Sequence, residues 1–330
     1  MSVSVQAPES LGQLYRPIRN DLEQAERIFT DELASDSRHI RELVSHLRHY
    51  RGKQLRPALL LLAARACGQV TPEHHTLAAV VEMIHTATLV HDDILDHADL
   101  RRHVPTVNAQ WGNACSVLLG DLLFTHSFYL ASTTGSTLAC RLIGEATNRV
   151  CAGELQQIGE RGNLDLSEER YFDIIRGKTA ELTACACRLG AIFARADNPT
   201  IESLARYGRD LGVAFQIADD LLDLIGREDE AGKSLGTDLE QQKLTLPLIR
   251  LLQQAQPEHS RLLRHILASP ENHKRGKLAA YFAQSDALDY ARGAAERYAA
   301  NARCELQVLP PSECRHILEE LTFLVVRRNH

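Results

Sequence analysis

The sequence lacks the features of a nucleic-acid-binding, secreted or membrane-spanning protein. Its 37 Lys and Arg residues are outnumbered by 43 Asp and Glu residues, whereas a nucleic-acid-binding protein needs a basic face. The N-terminal residues have neither a basic segment nor an apolar core, so they do not resemble a signal peptide. The longest apolar run, residues 58 to 64, is too short to span a bilayer. The sequence therefore predicts a cytoplasmic protein with no membrane span and no nucleic-acid partner.

Paired cysteine spacing is also missing. The eight cysteines are scattered along the chain, and none forms the CxxC pair that zinc sites use. Isolated cysteines are most simply explained as small buried thiols in a reducing compartment. The cysteines are therefore consistent with the cytoplasm and do not indicate zinc.

Sustained strand alternation is absent, and helical periodicity runs through nearly the whole chain. Thr71 and Pro72 are a good N-cap and first residue for a helix that continues into three aspartates. Further helices are predicted at about residues 113–133, 137–158, 168–195 and 200–225. Because no repeat, linker or low-complexity tract divides the chain, we predict an all-α fold with residues 1–330 in a single domain.

The first candidate site is the segment LVHDDILDHADLRR, which carries Asp92, Asp93 and Asp96. On a helix, Asp92 and Asp96 share one face and Asp93 lies beside them. Two carboxylates about 6 Å apart repel by roughly 3 kcal/mol at an effective dielectric constant near 20. A proton or a cation should offset that charge, and oxygen ligands suit Mg²⁺.

The same spacing recurs in FQIADDLLDLIG, which carries Asp219, Asp220 and Asp223. One such cluster could be an exposed acidic helix face. Two are harder to explain that way, because each lies at the C-terminal end of an apolar helix, where the helix dipole disfavours negative charge. We therefore predict two carboxylate walls facing one cavity and holding Mg²⁺ ions around a polyanion.

Three basic segments accompany the aspartates. One follows the first cluster directly, one is the turn RGKQLRP, and one is the segment GKSLGTDLEQQKLTLP after the second cluster. Each could be only a solvated basic surface, but together they offer cations for an anion. The candidate cations are Arg101 and Arg102, Lys53 and Arg56, and Lys233 and Lys243.

The ordered motifs GKxxRP, DDxxD followed by RR, an internal KT, FQxxDDxxD, and GKxxGxDL leading to KxTLP resemble the trans-isoprenyl diphosphate synthase (polyprenyl synthetase) family. The resemblance covers roughly residues 40 to 250. The segments VEMIHTATLVHDD, NACSVLLGDLLFTHSF and LQVLP are similar to those of the octaprenyl diphosphate synthase branch of the family. Arg51 and Gln242 stand where the family usually has glycine, which affects loop conformation more than charge.

The resemblance implies an all-α bundle around a deep central cavity and a homodimer. It also implies a Mg²⁺-dependent, head-to-tail prenyltransferase, in which isopentenyl diphosphate attacks an allylic diphosphate such as farnesyl diphosphate. The product would be a long all-trans chain for quinone side chains. Shielding an intermediate carbocation from water fits an apolar bundle.

The resemblance also implies catalytic roles for individual residues. The direct metal ligands would be Asp92, Asp96 and Asp219, supported by Asp93, Asp220 and Asp223. The allylic diphosphate would be bound by Arg101, Lys178, Lys233 and Lys243, with Thr179 and Gln216 turning oxygens toward the carbocation. Isopentenyl diphosphate would be bound by Lys53, Arg56, His85 and Arg102, although His85 could instead be a core histidine.

The segment RGKTAELT contains GKT but is not a nucleotide-binding P-loop, because position 172 is Phe where that motif requires Gly. Gly177 interrupts a helical pattern at a cost of about 1 kcal/mol relative to Ala. We predict either a kink near Lys178 and Thr179 or a glycine tolerated at a tight helix contact.

Product length is predicted from the residues that precede the first aspartates. At a rise of 1.5 Å per residue, Ala87 lies about 7.5 Å and Met83 about 13.5 Å from Asp92 along the helix. Short-chain members of the family commonly have a bulky aromatic at the fifth or fourth residue before the aspartates, where this chain has Ala87 and Thr88. An open tunnel is therefore predicted, with Phe128 as either its floor or a core residue.

Other functions remain open on the sequence. A terpene cyclase would not need the second cluster or the Lys53 and Arg56 site. A non-catalytic subunit of a heteromeric synthase would be expected to have lost aspartates, and all six are present. A short-chain farnesyl or geranylgeranyl synthase remains the alternative for product length.

Overall fold

The computed structural model describes residues 11–50, 52–226, 235–269 and 274–327, and these residues are almost wholly helical. The predicted all-α class is confirmed. The α-helices are α1 (Leu11–Leu14), α2 (Arg19–Glu32), α3 (Arg38–His46), α4 (Leu55–Cys67), α5 (Pro72–Leu95), α6 (Val107–Trp111), α7 (Asn113–Ser132), α8 (Thr137–Gly159), α9 (Glu168–Ile175), α10 (Glu181–Phe193), α11 (Asn198–Ile225), α12 (Thr237–Glu240), α13 (Leu246–Gln254), α14 (Pro257–Ala268), α15 (Lys274–Ala283), α16 (Ala287–Glu305) and α17 (Glu313–Arg327).

Three short 3₁₀ turns, a π-helical turn and one small hairpin complete the described structure. The hairpin pairs β1 (Leu100–Arg101) with β2 (Val104–Pro105) in antiparallel register, directly after α5. The 3₁₀ turns are Arg16–Ile18, Leu47–His49 and Leu306–Val308, and the π-helical turn is Arg176–Ala180. The helix predicted at about 168–195 is therefore three consecutive elements, α9, the π-helical turn and α10.

Helix α5 begins where the sequence predicts. Thr71 is the N-cap and Pro72 the first helical residue. The Thr71 backbone N–H also donates to Nδ1 of His74 at 2.9 Å, so the first turn has a capping box in which a histidine replaces the usual Glu or Gln. This cap fixes the start of the helix that carries Asp92 and Asp93 in its last turn.

Helix α4 is deeply buried. Residues 58 to 64 have no exposed surface, and α4 packs against α5, α10 and α17. The long helix α11 packs between α10 and α16. Because burial of apolar area is the main stabilising term in folding, these contacts hold α5 and α11 rigidly. Those are the two helices that carry the aspartate clusters.

Helix α7 is apolar overall, although it contains no long uninterrupted apolar run. It is long and apolar enough to cross a membrane by length and composition alone, and 39% of its most apolar window is buried inside the fold. Ser, Gly, Asp and His residues break up its apolar runs, so no single apolar run in it is long. Its outer face exposes Leu118 and Tyr129, at 68% and 62% of their surface.

Candidate active site

The first aspartate cluster lies at the C-terminal end of α5. Asp92 and Asp93 are in its last turn, and Asp96 is the C-cap, with its backbone N–H donating to the Asp92 carbonyl at 2.8 Å. Burial raises the pKa of Asp92 to about 6, with Glu154 and Asp96 adding to the shift and Lys178 opposing it. A carboxylate held this way gains from a nearby cation.

Asp93, unlike Asp92 and Asp96, is fully buried. Its Oδ1 accepts from Nε and Nη2 of Arg101 at 2.9 and 2.7 Å, and its Oδ2 accepts from the Tyr50 hydroxyl at 2.6 Å. Both oxygens are therefore used inside the protein. Arg101, an implied ligand of the allylic diphosphate, is paired with this carboxylate.

The second cluster also has buried, hydrogen-bonded members, but here they are two of the three aspartates. Asp220 is buried, and it accepts from the Tyr171 hydroxyl at 2.6 Å and from Nε2 of Gln216 at 2.7 Å. Burial raises its pKa to about 8. Asp223 is also buried, and it accepts from the Thr237 hydroxyl and the Asp238 backbone N–H.

Burial therefore separates the six aspartates into two groups. Asp93, Asp220 and Asp223 are buried, whereas Asp92, Asp96 and Asp219 keep partly accessible surface. The accessible three are those for which the resemblance implies metal ligation. Their role as ligands stays a prediction.

The π-helical turn Arg176–Ala180 connects the two helix ends. Asp92 and Asp96 act on the charge of Lys178, and the Thr179 hydroxyl donates to Oε1 of Gln216 on α11 at 2.6 Å. Thr179 and Gln216, the two residues implied to face the carbocation, are thus bonded to each other. One turn of chain therefore bonds to α11 and carries a charge that interacts with the aspartates at the end of α5.

Gly177 lies in the π-helical turn, where the chain both departs from α-helical geometry and comes close to the backbone of α8. A β-carbon on Gly177 would be 3.1 Å from the Arg149 carbonyl oxygen, and one on Gly153 would be 2.5 Å from the Lys178 backbone nitrogen. The π-helical turn and α8 therefore approach backbone to backbone. The kink and the tight helix contact, which the sequence analysis gave as alternatives, are therefore both present.

Lys178 is held among acidic and polar groups. Its ammonium is 2.5 Å from Oε2 of Glu154 and 2.8 Å from Oε1 of Gln157. Burial acts to lower its pKa, but Asp92 and Glu154 hold that pKa above its ordinary value. The lysine is therefore a fixed positive charge beside Asp92.

Asp96 joins α5 to two distant segments. Its Oδ1 lies 3.2 Å from Nζ of Lys243 and 3.1 Å from Nη2 of Arg161, and its backbone carbonyl accepts from Nε2 of Gln241 at 3.2 Å. Lys243, although close in sequence to the second cluster, thus contacts the first. This contact brings the segment that follows α12 to the end of α5.

Two of the cations implied to bind isopentenyl diphosphate, Arg56 and Arg102, act on the charge of His85, as does Arg101. Burial, followed by repulsion from Arg56, Arg101 and Arg102, lowers the pKa of His85 well below its ordinary value. Three guanidinium groups therefore act on one neutral imidazole. Lys53 is exposed, in the segment that precedes α4. Such a group of cations fits an anion, although its assignment to isopentenyl diphosphate stays a prediction.

The residues predicted to set product length have different environments. Met83 and Ala87 are fully buried in the core, whereas Thr88 keeps some accessible surface. Phe128 is 37% exposed on α7, and its role as tunnel floor or core residue stays a prediction. Among the three α5 positions, only Thr88 can contact a bound chain without rearrangement, and the tunnel stays a prediction.

Two positions where the family usually has glycine have different outcomes. Gln242 has φ of +55°, a left-handed conformation that costs a non-glycine residue roughly 1–2 kcal/mol. Its carbonyl accepts from the Gly162 backbone N–H at 2.9 Å. Arg51 and the predicted phosphate ligand Lys233 lie outside the described residues.

The carboxylates of the two aspartate clusters are the candidate ligands for the expected Mg²⁺. In the part of the chain that the structure describes, no three His, Cys, Asp or Glu residues converge closely enough to hold a metal ion alone. Mg²⁺ usually binds one or two carboxylates together with waters and substrate phosphates. Separate accessible carboxylates at two helix ends therefore fit a metal that binds together with a diphosphate.

Several site residues gave no local signal in the sequence. Tyr50, Tyr171 and Arg161 contact aspartates far away along the chain, so only the fold brings them there. Glu154 and Gln157 could have been found, because they lie three residues apart on one helix face and follow the small Gly153. That glycine lets the backbone at Lys178 approach α8.

Comparisons with known proteins agree with this geometry. The sequence model of the family described as Polyprenyl synthetase matches residues 37–284. Octaprenyl diphosphate synthase of Escherichia coli (strain K12) is 37% identical over 91% of this chain and 93% of its own. The short chain isoprenyl diphosphate synthase of Methanothermobacter thermautotrophicus is 34% identical over 86% and 89%. A polyprenyl synthase from Caulobacter crescentus CB15, solved with calcium and isoprenyl diphosphate, superposes with a TM-score of 0.93 at 36% identity over 98% and 100%.

Proposed function

The chain belongs to the polyprenyl synthetase family, and on that premise we propose that it is a Mg²⁺-dependent, chain-elongating trans-prenyltransferase. It condenses isopentenyl diphosphate with an allylic diphosphate. The C1–O bond of the allylic substrate breaks, the double bond of isopentenyl diphosphate forms the new bond to C1, and a proton is lost from the C2 carbon of isopentenyl diphosphate. The products are the lengthened allylic diphosphate and inorganic diphosphate.

One observation carries this proposal. The π-helical turn places Lys178 beside Asp92 and bonds Thr179 to Gln216. A fixed cation near Asp92 and a residue bonded to the second acidic helix thus belong to one turn of chain, which supports a shared site for a diphosphate. A departing diphosphate needs such a setting, because fixed charges stabilise developing charge without reorganising.

The residues have distinct tasks in this reaction. Asp92, Asp96 and Asp219 would hold Mg²⁺, which when bound supplies Lewis-acid stabilisation to the leaving diphosphate. Arg101, Lys178, Lys233 and Lys243 would bind that diphosphate directly. The group of Lys53, Arg56, His85 and Arg102 would hold the second substrate, with its double bond toward C1.

We propose a long product, octaprenyl diphosphate made from a farnesyl starter, which would serve as a quinone side chain. The E. coli relative is named for that product, whereas the M. thermautotrophicus relative is named as a short-chain synthase. Small residues before the first aspartates favour the long chain. A farnesyl or geranylgeranyl synthase is the second candidate, and Met83 and Ala87, buried in the core, are the observation in its favour.

The other two alternatives fit the site less well. A non-catalytic subunit has no need of accessible carboxylates at both helix ends. A terpene cyclase has no need of three guanidinium groups around His85. All six aspartates and these cations are present in the chain, as a catalytic synthase requires.

We also propose that the protein is a cytoplasmic homodimer formed through α7. The outer face of this helix exposes Val117, Leu118, Leu122, Phe128 and Tyr129, and a helix that exposes this many large apolar side chains is a candidate association surface. A second copy of the chain is a suitable occupant, because an isologous contact is self-complementary. Leu118→Glu should give a monomer by light scattering; a wild-type monomer would refute the dimer.

The proposed reaction is tested by incubating the protein with farnesyl diphosphate, labelled isopentenyl diphosphate and Mg²⁺. Product length is then read by chromatography. A labelled polyprenyl diphosphate, lost on adding a chelator, is the expected result. Products that stop at farnesyl or geranylgeranyl length, with isopentenyl diphosphate in excess, would select the short-chain alternative. No labelled product would refute the synthase.

A further inference from the structure

The second aspartate of each cluster is held by a buried tyrosine. Tyr50 donates to Oδ2 of Asp93 and Tyr171 donates to Oδ2 of Asp220, each at 2.6 Å. The two tyrosines are 3% and 4% exposed. Tyr50 follows the 3₁₀ turn Leu47–His49, whereas Tyr171 lies on α9. Two unrelated segments therefore supply the same contact to the ends of α5 and α11.

The direction of the first bond is fixed by a third group. The Val107 backbone N–H donates to the Tyr50 hydroxyl oxygen at 3.0 Å, so the hydroxyl proton is directed to Asp93. Burial and the adjacent carboxylate raise the pKa of Tyr50 and of Tyr171. Both phenols therefore stay protonated and act as donors.

These bonds orient the neighbouring aspartates through the helix. Adjacent residues on an α-helix are about 100° apart around its axis, so a carboxylate locked at position 93 or 220 fixes the direction of the one before it. Helix ends tend to fray. A buried anchor in the last turns opposes that fraying at the point where Asp92 and Asp219 must be aimed.

The two anchors differ in what supports them. Asp93 also accepts two bonds from the Arg101 guanidinium, and hydrogen bonds to charged donors are roughly twice as strong as neutral ones. Within the described ranges, the hydrogen-bond donors to Asp220 are both neutral, Tyr171 and Gln216. Loss of the Tyr171 hydroxyl therefore leaves its carboxylate less well held than loss of the Tyr50 hydroxyl does.

We propose that Tyr50 and Tyr171 are positioning residues that aim the two aspartate walls, with Tyr171 the more important for function. They touch no substrate and act through Asp93 and Asp220. The inference rests on the proposed function, because the walls matter only if they bind a metal diphosphate.

The test compares Tyr171→Phe, Tyr50→Phe and a matched control. Tyr290→Phe is that control. Tyr290 also donates a 2.6 Å hydrogen bond to a carboxylate, Oε1 of Glu168, but that carboxylate belongs to neither aspartate cluster. Two readouts are taken: the Mg²⁺ concentration giving half-maximal condensation, and calorimetric binding of inorganic diphosphate in the presence of Mg²⁺. Thermal unfolding reports the fold of each variant.

Tyr171→Phe should raise the half-maximal Mg²⁺ concentration about tenfold, which corresponds to about 1.4 kcal/mol. It should weaken magnesium diphosphate binding by a similar factor and leave the KM for isopentenyl diphosphate unchanged. Tyr50→Phe should lower the unfolding temperature, because it leaves the Val107 N–H without its acceptor, with less than a threefold metal effect. Tyr290→Phe should leave the Mg²⁺ requirement at the wild-type value.

A double-mutant cycle with Asp220→Asn tests whether Tyr171 acts through Asp220. The Tyr171→Phe effect on magnesium diphosphate binding should largely disappear in the Asp220→Asn background. Fully additive effects, or a Tyr171→Phe protein with wild-type metal dependence, would overturn the proposal. If Tyr171→Phe does not fold, Asp220→Asn alone must reproduce the binding defect, and normal binding by that variant would also overturn it.

The binding readout separates this proposal from the proposed function. A wild-type protein that binds magnesium diphosphate but makes no polyprenyl product would refute the synthase and leave the tyrosine anchors testable. A wild-type protein that neither condenses nor binds magnesium diphosphate would contradict both.

Discussion

The Arg102 guanidinium lies directly against the backbone of Gly52, so that a β-carbon on Gly52 would overlap its Nη2 atom. The arginine pair after the first aspartate cluster therefore reaches back to the turn that carries Lys53 and Arg56. Two segments about 50 residues apart are thus joined at one cation group. The glycine is required there for space, because it lets a cationic side chain approach the main chain.

Gly52→Ala is expected to displace Arg102 without unfolding the protein, since the overlapped atom is the end of a flexible side chain. The KM for isopentenyl diphosphate should rise about tenfold, equivalent to about 1.4 kcal/mol, while the KM for the allylic substrate stays near wild type. Gly144→Ala is a matched control, because a β-carbon there meets no other atom within 4 Å. Equal changes in both KM values would contradict the assignment of this group.

Arg56 and Lys53 should differ in importance although both belong to the implied isopentenyl diphosphate site. Arg56 has a buried Nε with no hydrogen-bond partner among the described residues, whereas Lys53 is exposed. Exposed charges are screened by solvent and contribute less. Arg56→Ala should therefore raise the KM for isopentenyl diphosphate more than Lys53→Ala does, in steady-state kinetics. The reverse order would show that the exposed lysine is the principal contact.

His85 should make the folded protein less stable in acid. Its pKa is lowered by burial and then by three arginines, so below about pH 6.5 the unfolded chain takes up a proton that the folded chain does not. This term is absent above pH 6.5 and lowers stability by up to about 1.4 kcal/mol per pH unit as the pH falls.

Chemical denaturation between pH 5 and 8 measures that effect. The loss of stability toward pH 5 should be smaller in His85→Gln than in wild type. His316→Gln, at a side chain 69% exposed, is the comparison variant. An identical pH dependence in His85→Gln and wild type would mean that His85 protonates equally in both states.

Product length should respond to Thr88 more cleanly than to Ala87. Thr88 keeps accessible surface, whereas Ala87 is fully buried, and overpacking a core typically costs about 1–3 kcal/mol. Thr88→Phe should shorten the product to about the farnesyl or geranylgeranyl range with the first condensation intact. Ala87→Tyr should also shorten it, but with a lower unfolding temperature. Unchanged chromatographic product length in both variants would place the tunnel elsewhere.

How much the sequence predicts depends on how local the signal is. The start of α5 at Thr71 and Pro72, the break at Gly177 and the all-α class follow from capping, periodicity and glycine. Tyr50, Tyr171 and Arg161 were missed because their partners lie 43, 49 and 65 residues away. The burial of Asp93 could not be predicted either, because a DDxxD spacing does not specify which carboxylate turns inward.

The central claim is that two aspartate walls bind one metal diphosphate, and turnover after removal of one carboxylate from each wall tests it most directly. The measurement is kcat for Mg²⁺-dependent condensation in Asp92→Ala and Asp219→Ala, with Asp289→Ala as control, because Asp289 is an exposed aspartate on α16. Each wall should stabilise the transition state, so both site variants should lose several orders of magnitude in kcat, and the control should stay near wild type. Wild-type turnover in either Asp92→Ala or Asp219→Ala would contradict the two-wall site.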